Sequence, residues 1–351
     1  MNISEVNCVE KKTKLILSII LSIIIIAVVL SFIKIDEIVK ILAKTKIEYF
    51  VLAIIVYIIL NLGMSKKIQI ILDALGEKIT LTDAAKANFG GMIASDFTPA
   101  RSGYFLTAFI LSREKKIELH KTIVSIFAPQ LIEFAIKIIC SVAVGLIIIN
   151  SAKLDLGNYP ILLAIGLGIS AATIAFFGLL LLKSGLLEKF AFIKKIPLAS
   201  KLYYLFHMMR SNLPAISSRG VQVIGLTGII WILKGLEWFL LAKALDIVIF
   251  DPVWDLGFFI FFHSFLTFTN FIPVPSVAGA GTTEATSALI FVLLGSSAEI
   301  GISFAILARF LMIIVDLVGL VSIVPLIEKE KIEGILEDIE NIEKDIKKDE
   351  S

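Results

Sequence analysis

The chain has 351 residues, of which 58% are hydrophobic and only 18% are charged, and its net charge is +2. Soluble domains are about half apolar and about one-quarter charged, so this composition excludes an ordinary soluble protein and predicts an integral membrane protein. Two cysteines, Cys8 and Cys140, suggest no disulfide framework. No nucleic-acid partner is expected.

Six apolar stretches are long enough to cross a membrane, which requires about 20 residues of helix. They are residues 15–33, 49–65, 122–149, 160–182, 221–245 and 302–327. Lysines precede the first stretch, but its length and the lack of a small-residue cleavage site favour an uncleaved span over a signal peptide. Two further apolar stretches are interrupted, 88–111 at Pro99 and Gly103 and 257–295 between Pro273 and Gly281. The predicted fold is an all-α, polytopic membrane helical bundle.

The placement of Lys and Arg predicts the orientation in the membrane. With a cytoplasmic N-terminus and two re-entrant broken stretches, the inner segments carry 18 basic residues and the outer segments 5. Basic residues favour the cytoplasmic side, so we predict this topology in the cell membrane, with both termini cytoplasmic. If both broken stretches crossed fully, the basic segment 183–220 would move outside, which is why re-entrant hairpins are favoured.

This topology contains an inverted repeat. Residues 49–149 and 221–327 each form a span, a broken hairpin and a span, in opposite orientations. Broken helices that meet near the midplane of such repeats are a recurrent transporter architecture. We therefore predict one membrane domain over residues 1–327. Residues 328–351 contain ten acids and isoleucines at helical spacing, which predicts an acidic amphipathic cytoplasmic tail.

Ionisable side chains within the apolar stretches cost at least about 2.5–3.5 kcal/mol each to insert, so they usually face a cavity or a partner. Those that we assign to structural or gating roles are Asp96, Lys137, Lys234, Glu237, Arg309 and Asp316. Glu133 precedes Lys137 by four residues and Lys234 precedes Glu237 by three, so each pair lies on one helix face. Arg309 and Asp316 are two turns apart on a shared face. Structural ion pairs and functional contacts both remain open for these side chains.

The first break combines a helix-ending proline with an arginine. Pro99 lacks an N–H donor and disfavours the helical conformation of the preceding residue. Gly103 permits a positive φ or a close backbone approach. A helix that restarts at Tyr104 offers N–H groups beside Arg101, so we predict a phosphate-binding site here. In the competing interpretation, Arg101 is an ion-pair partner of Asp96.

The second break holds two prolines and two glycines, Pro273, Pro275, Gly279 and Gly281. The prolines end one half-helix, and Thr282 or Thr283 is predicted to cap the next, with Glu284 in its first turn. Glu284 then either compensates the helix dipole or contacts a cation or cationic head group.

Signatures of soluble enzymes are absent from the sequence. It contains no P-loop, no zinc-spaced Cys or His set and no GxSxG motif. The three histidines are far apart in the chain. We therefore predict no catalytic residue, no metal site and no cofactor.

The two breaks resemble those of the family that comprises the membrane region of lysylphosphatidylglycerol synthases and related bacterial and archaeal membrane proteins. Pro99, Arg101 and Gly103 match its early Pro-Gly-Arg-x-Gly-Glu element, whereas Ala100 replaces a glycine and Tyr104 replaces the glutamate. Its late element is Pro-x-Pro-Gly-Gly-x-Gly-x-x-Glu. The matching residues, in a longer loop without the paired glycines, are Pro273, Pro275, Gly281 and Glu284.

The resemblance covers roughly residues 15–327 and implies a flippase-like domain that translocates a phospholipid or a lipid-linked glycan. Glu133 lies where family members carry an acid. The implied substrate-binding residues are Pro99, Arg101, Gly103, Glu133, Gly281 and Glu284. Arg101 would hold the head-group phosphate, and Glu133 and Glu284 would contact its cationic or hydroxyl part.

Two alternatives to a translocase remain open. The chain could be a membrane-embedded transferase, or a subunit of one, that acts on lipid-linked sugars or phospholipids, or a non-catalytic scaffold in envelope-lipid assembly. Two-part family members carry a soluble aminoacyl-transfer domain, which is not present before Ser351, so lysyl transfer is not expected. The expected partners are membrane lipids and a lipid-modifying enzyme.

Overall fold

The computed structural model describes residues 35–98, 101–151, 207–249, 252–269 and 281–323, and these residues form helices and turns without a strand. The α-helices are α1 (Ile35–Ala43), α2 (Ile47–Ala74), α3 (Leu81–Asp96), α4 (Leu106–Lys115), α5 (Leu119–Ser151), α6 (Leu213–Ser218), α7 (Gly220–Ala244), α8 (Pro252–Thr269), α9 (Thr282–Leu293) and α10 (Ala298–Asp316). A short 3-10 helix, Ser102–Phe105, precedes α4. The predicted all-α fold is therefore confirmed for the described residues.

Within the described ranges, three helices are long and apolar enough to cross a membrane, namely Ile47–Ala74, Gly220–Ala244 and Ala298–Ile323. They coincide with three of the predicted spans, and α5 coincides with a fourth. The remaining two, 15–33 and 160–182, lie outside the described residues, as do most of segment 183–220 and the tail 328–351.

The apolar side chains of α2 point away from the protein interior along much of the helix. Val51, Ile55 and Ile59 are each close to half exposed, and Leu52, Ile58 and Leu62 are also exposed. In water, a contiguous apolar surface of this kind would be a liability for aggregation. Lipid chains remove that cost, so the exposure supports an integral membrane protein.

The first broken stretch folds back on itself. Asp83 lies in the first turn of α3 and Lys115 is the last residue of α4, and Lys115 Nζ lies 2.7 Å from Asp83 Oδ1. The two ends of the interrupted stretch therefore lie beside each other, and its return to one side of the membrane stays a prediction. After α4, Lys116 takes a left-handed conformation and redirects the chain into α5.

The second broken stretch returns in the same way. The ring of Phe262 in α8 lies 5.8 Å from the ring of Phe291 in α9, at similar distances from the break. The hairpin then packs on α10 through Gly301, where an added Cβ would lie 2.7 Å from the carbonyl oxygen of Ser287. Only glycine allows α9 and α10 to approach this closely.

The order of elements is therefore repeated. Helix α2, the α3–α4 hairpin and α5 form one set, and α7, the α8–α9 hairpin and α10 form the second. This order of helices is the one predicted for the two halves, whereas the number of membrane spans stays a prediction. The opposite orientation of the halves in the membrane stays a prediction.

The chain divides into two compact units. Among the described residues, unit 1 contains those up to Leu60, Gly91–Tyr104 and Trp231–Val318, and unit 2 contains Asn61–Gly90, Phe105–Ile230 and those from Gly319 onward. Unit 1 has an aromatic core made of Trp238, Phe258, Phe259, Phe262, Phe291 and Phe304. Unit 2 has an aliphatic core that includes Ile71, Val124, Ala128, Ile216 and Val223.

Candidate functional site

The first break places an arginine in an unfavourable backbone conformation. Helix α3 ends at Asp96, Pro99 and Ala100 lie outside the described residues, and Arg101 has a φ of 54°. The left-handed region costs an L-residue with a side chain roughly 1–2 kcal/mol. Backbone strain of this kind is concentrated at functional sites. The residue with a positive φ in this break is therefore Arg101 and not Gly103.

Gly103 serves the break through close packing instead. A Cβ at this position would lie 2.3 Å from the carbonyl oxygen of Ala94. The Gly103 N–H donates to Thr98 Oγ1 at 2.7 Å, and the Tyr104 N–H donates to the Arg101 carbonyl at 3.1 Å. The break therefore satisfies these two N–H groups internally, contrary to the prediction that the restarting helix offers them to a phosphate. The guanidinium of Arg101 is therefore the candidate anion-binding group of the first break.

Arg101 pairs with Asp96, as the competing interpretation predicted. Its Nη2 donates to Asp96 Oδ1 at 3.1 Å, and the Asp96 side chain is only 5% exposed, whereas that of Arg101 is 41% exposed. A guanidinium has five N–H donors, and this is the one side-chain hydrogen bond of Arg101 within the described residues. Arg101 can therefore bind an anion while it remains in contact with Asp96.

Behind Arg101, two buried carboxyl groups are neighbours. The Asp316 carboxyl of α10 lies within hydrogen-bonding reach of the Asp96 carboxyl. Tyr57 of α2 donates its hydroxyl to Asp316 Oδ2 at 2.9 Å, and both Tyr57 and Asp316 are almost fully buried. Asp96 Oδ2 and Asp316 Oδ1 are buried and accept no hydrogen bond from a described residue.

The second break is joined to α10 through Glu284. Its Oε2 accepts from the Gly281 N–H at 2.7 Å, and its Oε1 accepts from Arg309 Nε at 3.0 Å. The N-cap is Gly281, with a φ of 85°, so the prediction that Thr282 or Thr283 caps the helix is wrong. A positive φ suits glycine and neither threonine. Glu284 closes the cap, as predicted, and also binds Arg309.

The predicted i,i+3 pair of α7 is present. Lys234 Nζ lies 2.7 Å and 2.9 Å from the two carboxylate oxygens of Glu237, which is fully buried. The same ammonium group lies 4.8 Å from the centre of the Tyr57 ring, a cation–π distance. Tyr57 therefore links the α7 pair to Asp316.

Together these contacts form one group in unit 1, here called the charge cluster: Tyr57, Asp96, Arg101, Lys234, Glu237, Glu284, Arg309 and Asp316. Asp96 interacts electrostatically with Arg309 as well as with Arg101. The cluster holds four carboxyl groups and three cationic side chains. Both hairpin breaks are joined to α10, the first through Asp316 and the second through Arg309. Arg309 and Asp316, which share a face of α10, bind Glu284 and Tyr57, respectively.

Glu133 and Lys137 belong to unit 2. Lys137 Nζ lies 2.8 Å from Glu133 Oε1, which confirms the predicted i,i+4 contact. Lys67 Nζ, whose side chain is 2% exposed, lies 2.9 Å from Glu133 Oε2. Both carboxylate oxygens of Glu133 are thus held by lysines.

Sequence reasoning missed Tyr57 and Lys67. Tyr57 lies in an uncharged apolar stretch, where a tyrosine carries no distinguishing signal. Lys67 follows the predicted span 49–65, where the predicted topology has a cytoplasmic segment, but α2 continues to Ala74. Glu133, a carboxylate within a later span, was the available sign of a buried basic residue near the end of α2. The described residues contain no group of His, Cys, Asp and Glu placed to hold a metal ion.

Comparison with protein families finds one described as "Lysylphosphatidylglycerol synthase TM region", which matches residues 15–319. This match includes the first break, Glu133, Glu284 and all members of the charge cluster. Neither the comparison with curated proteins nor that with solved structures finds a match.

Proposed function

This chain belongs to the family of the lysylphosphatidylglycerol synthase TM region, and on that premise we propose that it translocates a phospholipid with an anionic head group, such as phosphatidylglycerol, across the cell membrane. The family and the apolar helices establish an integral membrane protein. The translocation step is inferred from the arrangement of charge at the broken helices.

The observation that carries the proposal is the state of Arg101. Its guanidinium is partly exposed at the tip of a hairpin, in a strained backbone conformation, and it makes one side-chain hydrogen bond among the described residues. Arginine binds phosphate through two parallel hydrogen bonds, which lysine does not reproduce. A phospholipid phosphate is therefore a suitable ligand for this side chain.

The charge cluster supplies a route by which ligand binding at one break would affect the other. Asp96 connects the first break to Asp316 of α10, and Glu284 connects the second break to Arg309 of the same helix. A shift of α10 would alter both contacts together. Alternating access to a site near the membrane midplane requires a helix that can adopt two positions in this way.

The proposal is tested with the full chain in proteoliposomes that contain fluorescent phosphatidylglycerol in both leaflets. Translocation is measured as the fraction of label that a membrane-impermeant quencher reaches. Hydrogen bonds to a charged group contribute about 1.5–3 kcal/mol, so Arg101→Lys should slow translocation roughly tenfold to hundredfold and Arg101→Ala more. Wild-type protein that moves no lipid at all would refute the proposal.

A matched pair of glycine variants separates backbone strain from charge. Arg101 and Lys116 both have a positive φ, of 54° and 57°, and glycine relieves it at either position. Arg101→Gly relieves the strain but leaves the buried Asp96 without its ion-pair partner, so the amount of folded protein is measured beside transport. Translocation per folded molecule should be lost in Arg101→Gly and retained in Lys116→Gly. If Arg101→Gly and Asp96→Asn lose folded protein to the same extent, with translocation per folded molecule unchanged, then Arg101 is a structural partner of Asp96 only.

The same vesicles distinguish the alternative functions. Lipid extracted after the assay and separated by chromatography should be chemically unchanged. A modified lipid would favour a membrane-embedded transferase, and a lipid-linked glycan that moves faster than phosphatidylglycerol would change the substrate class. Lack of both movement and modification would favour a scaffold.

The proposed topology has its own test. In a variant with Cys8 and Cys140 replaced by serine, Trp254→Cys should react with an impermeant thiol reagent from outside intact cells. Ser211→Cys should react only after the cytoplasmic side is opened. Labelling of Trp254→Cys solely from the cytoplasmic side would contradict the inverted repeat.

A further inference from the structure

Each of the buried carboxyl groups of Asp96 and Asp316 has one oxygen without a hydrogen-bond donor among the described residues. They lie within hydrogen-bonding reach of each other, and Asp96 Oδ2 and Asp316 Oδ1 accept nothing from the described residues. Two ionised carboxylates at this range repel strongly, and neighbouring carboxyl groups in proteins commonly share one proton. A proton on either group would supply the missing donor.

The charges around the pair also favour a bound proton. Facing it are Arg101 from the first break, Arg309 from α10, and Lys234 with Glu237 from α7, while Tyr57 donates to Asp316. With Glu284 included, the charge cluster has four acids and three bases. Because ionised groups are costly away from water, a cluster that binds one proton, and is then neutral, is favoured over one with an uncompensated negative charge.

Binding of a phosphate anion at Arg101 would disturb this balance. The guanidinium is the cation that hydrogen-bonds to Asp96, and a second anion on it reduces the compensation that Asp96 receives. The proton affinity of the carboxyl pair must then rise. By linkage, a ligand that raises proton affinity is itself bound more tightly when the proton is present.

We infer that the Asp96–Asp316 pair is a proton-binding site and that it takes up a proton from solution when an anionic phosphate head group binds at Arg101. The new bond is an O–H bond on one of the two carboxylates, and no bond breaks in the lipid. If the proposed function is right, the lipid and the proton move together, and a proton gradient can drive translocation. The joint movement of lipid and proton therefore rests on the proposed function, whereas the proton bound by the lipid-free pair does not.

Calorimetry on the full chain in detergent tests the linkage, with a water-soluble short-chain phosphatidylglycerol as the probe. Titrations in buffers with different ionisation enthalpies give the number of protons taken up per lipid bound. We expect little uptake at a pH at which the lipid-free pair already holds its proton. At higher pH, where the lipid-free pair has lost it, the uptake should approach about one proton, and the affinity should rise by up to about tenfold for each unit by which the pH is lowered. Lipid binding without proton uptake at neutral pH and throughout the alkaline range in which the protein stays folded would overturn the inference and leave the proposed function intact.

Asp316→Asn is the informative variant. Its amide can accept from Tyr57 and donate to Asp96, as a protonated Asp316 would, so lipid should bind with little proton uptake and a weak dependence on pH. Asp83→Asn removes a carboxylate outside the charge cluster and should behave as wild type. If Asp316→Asn does not fold, Asp96→Asn takes its place.

A second measurement requires no lipid. The infrared spectrum of the lipid-free protein at neutral pH should contain the carbonyl band of a buried, protonated carboxyl group, and Asp316→Asn should lack it. Absence of this band from the wild type would overturn the resting protonation. Failure of the probe to bind, with the band present, would count against the proposed function and leave the proton site standing.

Discussion

The charge cluster of unit 1 and the Lys67–Glu133–Lys137 triad of unit 2 both place ionisable side chains within membrane helices. They differ in how many of their carboxylate oxygens have a partner. In the triad, each oxygen of one carboxylate contacts its own lysine, at 2.8 Å and 2.9 Å. In the charge cluster, two carboxyl oxygens accept no hydrogen bond from a described residue, and Arg101 retains donors for a ligand.

This difference indicates different roles. A fully paired carboxylate stabilises one arrangement of helices and gains little from a new ligand, so a head-group contact by Glu133 would have to compete with two lysines. An incompletely paired cluster changes its protonation and its partners when an anion arrives. The excess charge also differs in sign, one cation in the triad and one acid in the cluster. The cluster is therefore the better candidate for the moving part of the site.

The largest effect on stability is expected from a substitution that breaks the triad. Glu133→Gln leaves Lys67 and Lys137 without a counter-charge, and the loss of one partner from a buried ion pair costs about 3–5 kcal/mol. Thermal unfolding in detergent should show a large decrease in stability. Exchanging Glu133 and Lys137 should not restore it, because the exchange places a second lysine beside Lys67.

The control for this experiment is Glu118→Gln. The side chain of Glu118 is 65% exposed, and its loss should change stability by no more than about 0.5 kcal/mol. If Glu133→Gln changes stability as little as Glu118→Gln, the triad does not stabilise the fold, and the contrast between the two regions disappears.

An intermediate effect is expected at the charge cluster. Asp316→Asn removes the excess acid and keeps an acceptor for Tyr57, so the free energy of unfolding should change by less than about 1.5 kcal/mol, the contribution of one ordinary hydrogen bond. The measurement is the same unfolding experiment, run beside Glu133→Gln. If Asp316→Asn lowers the free energy of unfolding as much as Glu133→Gln does, the stability of both regions depends equally on fully ionised carboxylates.

The smallest effect is expected at a partly exposed ion pair, Asp83–Lys115, which joins the two ends of the first hairpin. Burial raises the pKa of Asp83, but hydrogen bonds from Lys115 and Thr80 outweigh it and hold the pKa below its ordinary value. The pair therefore stabilises the folded state above the unfolded pKa of about 3.9, and that stability is lost as the pH falls through the lower folded value.

Surface pairs of this kind contribute roughly 0.2–1 kcal/mol. Asp83→Asn should thus lower stability slightly at neutral pH and have no effect in acid below the folded pKa. A double-mutant cycle with Lys115→Met isolates the pair from the contact with Thr80. A difference between Asp83→Asn and wild type that persists unchanged in acid would show that the carboxylate charge is not responsible.

The sequence alone determined the class of protein, the order of its helices and the positions of both breaks. These features are local: a long apolar run needs no partner to be recognised, and proline acts on its own turn of backbone. The contacts of Glu133 with Lys137 and of Lys234 with Glu237 were predictable for the same reason, since a single helix sets the geometry of residues three or four apart.

Only the tertiary structure decided which groups from different helices meet. Tyr57 and Asp316 are separated by 259 positions, and Lys67 and Glu133 by 66, so no periodicity within one element could relate them. Arg309 binds Glu284, because the packing of α9 against α10 at Gly301 brings the second break beside it. The shared face of a helix shows which residues point together, but the partner across that face depends on how helices distant in the chain pack against one another.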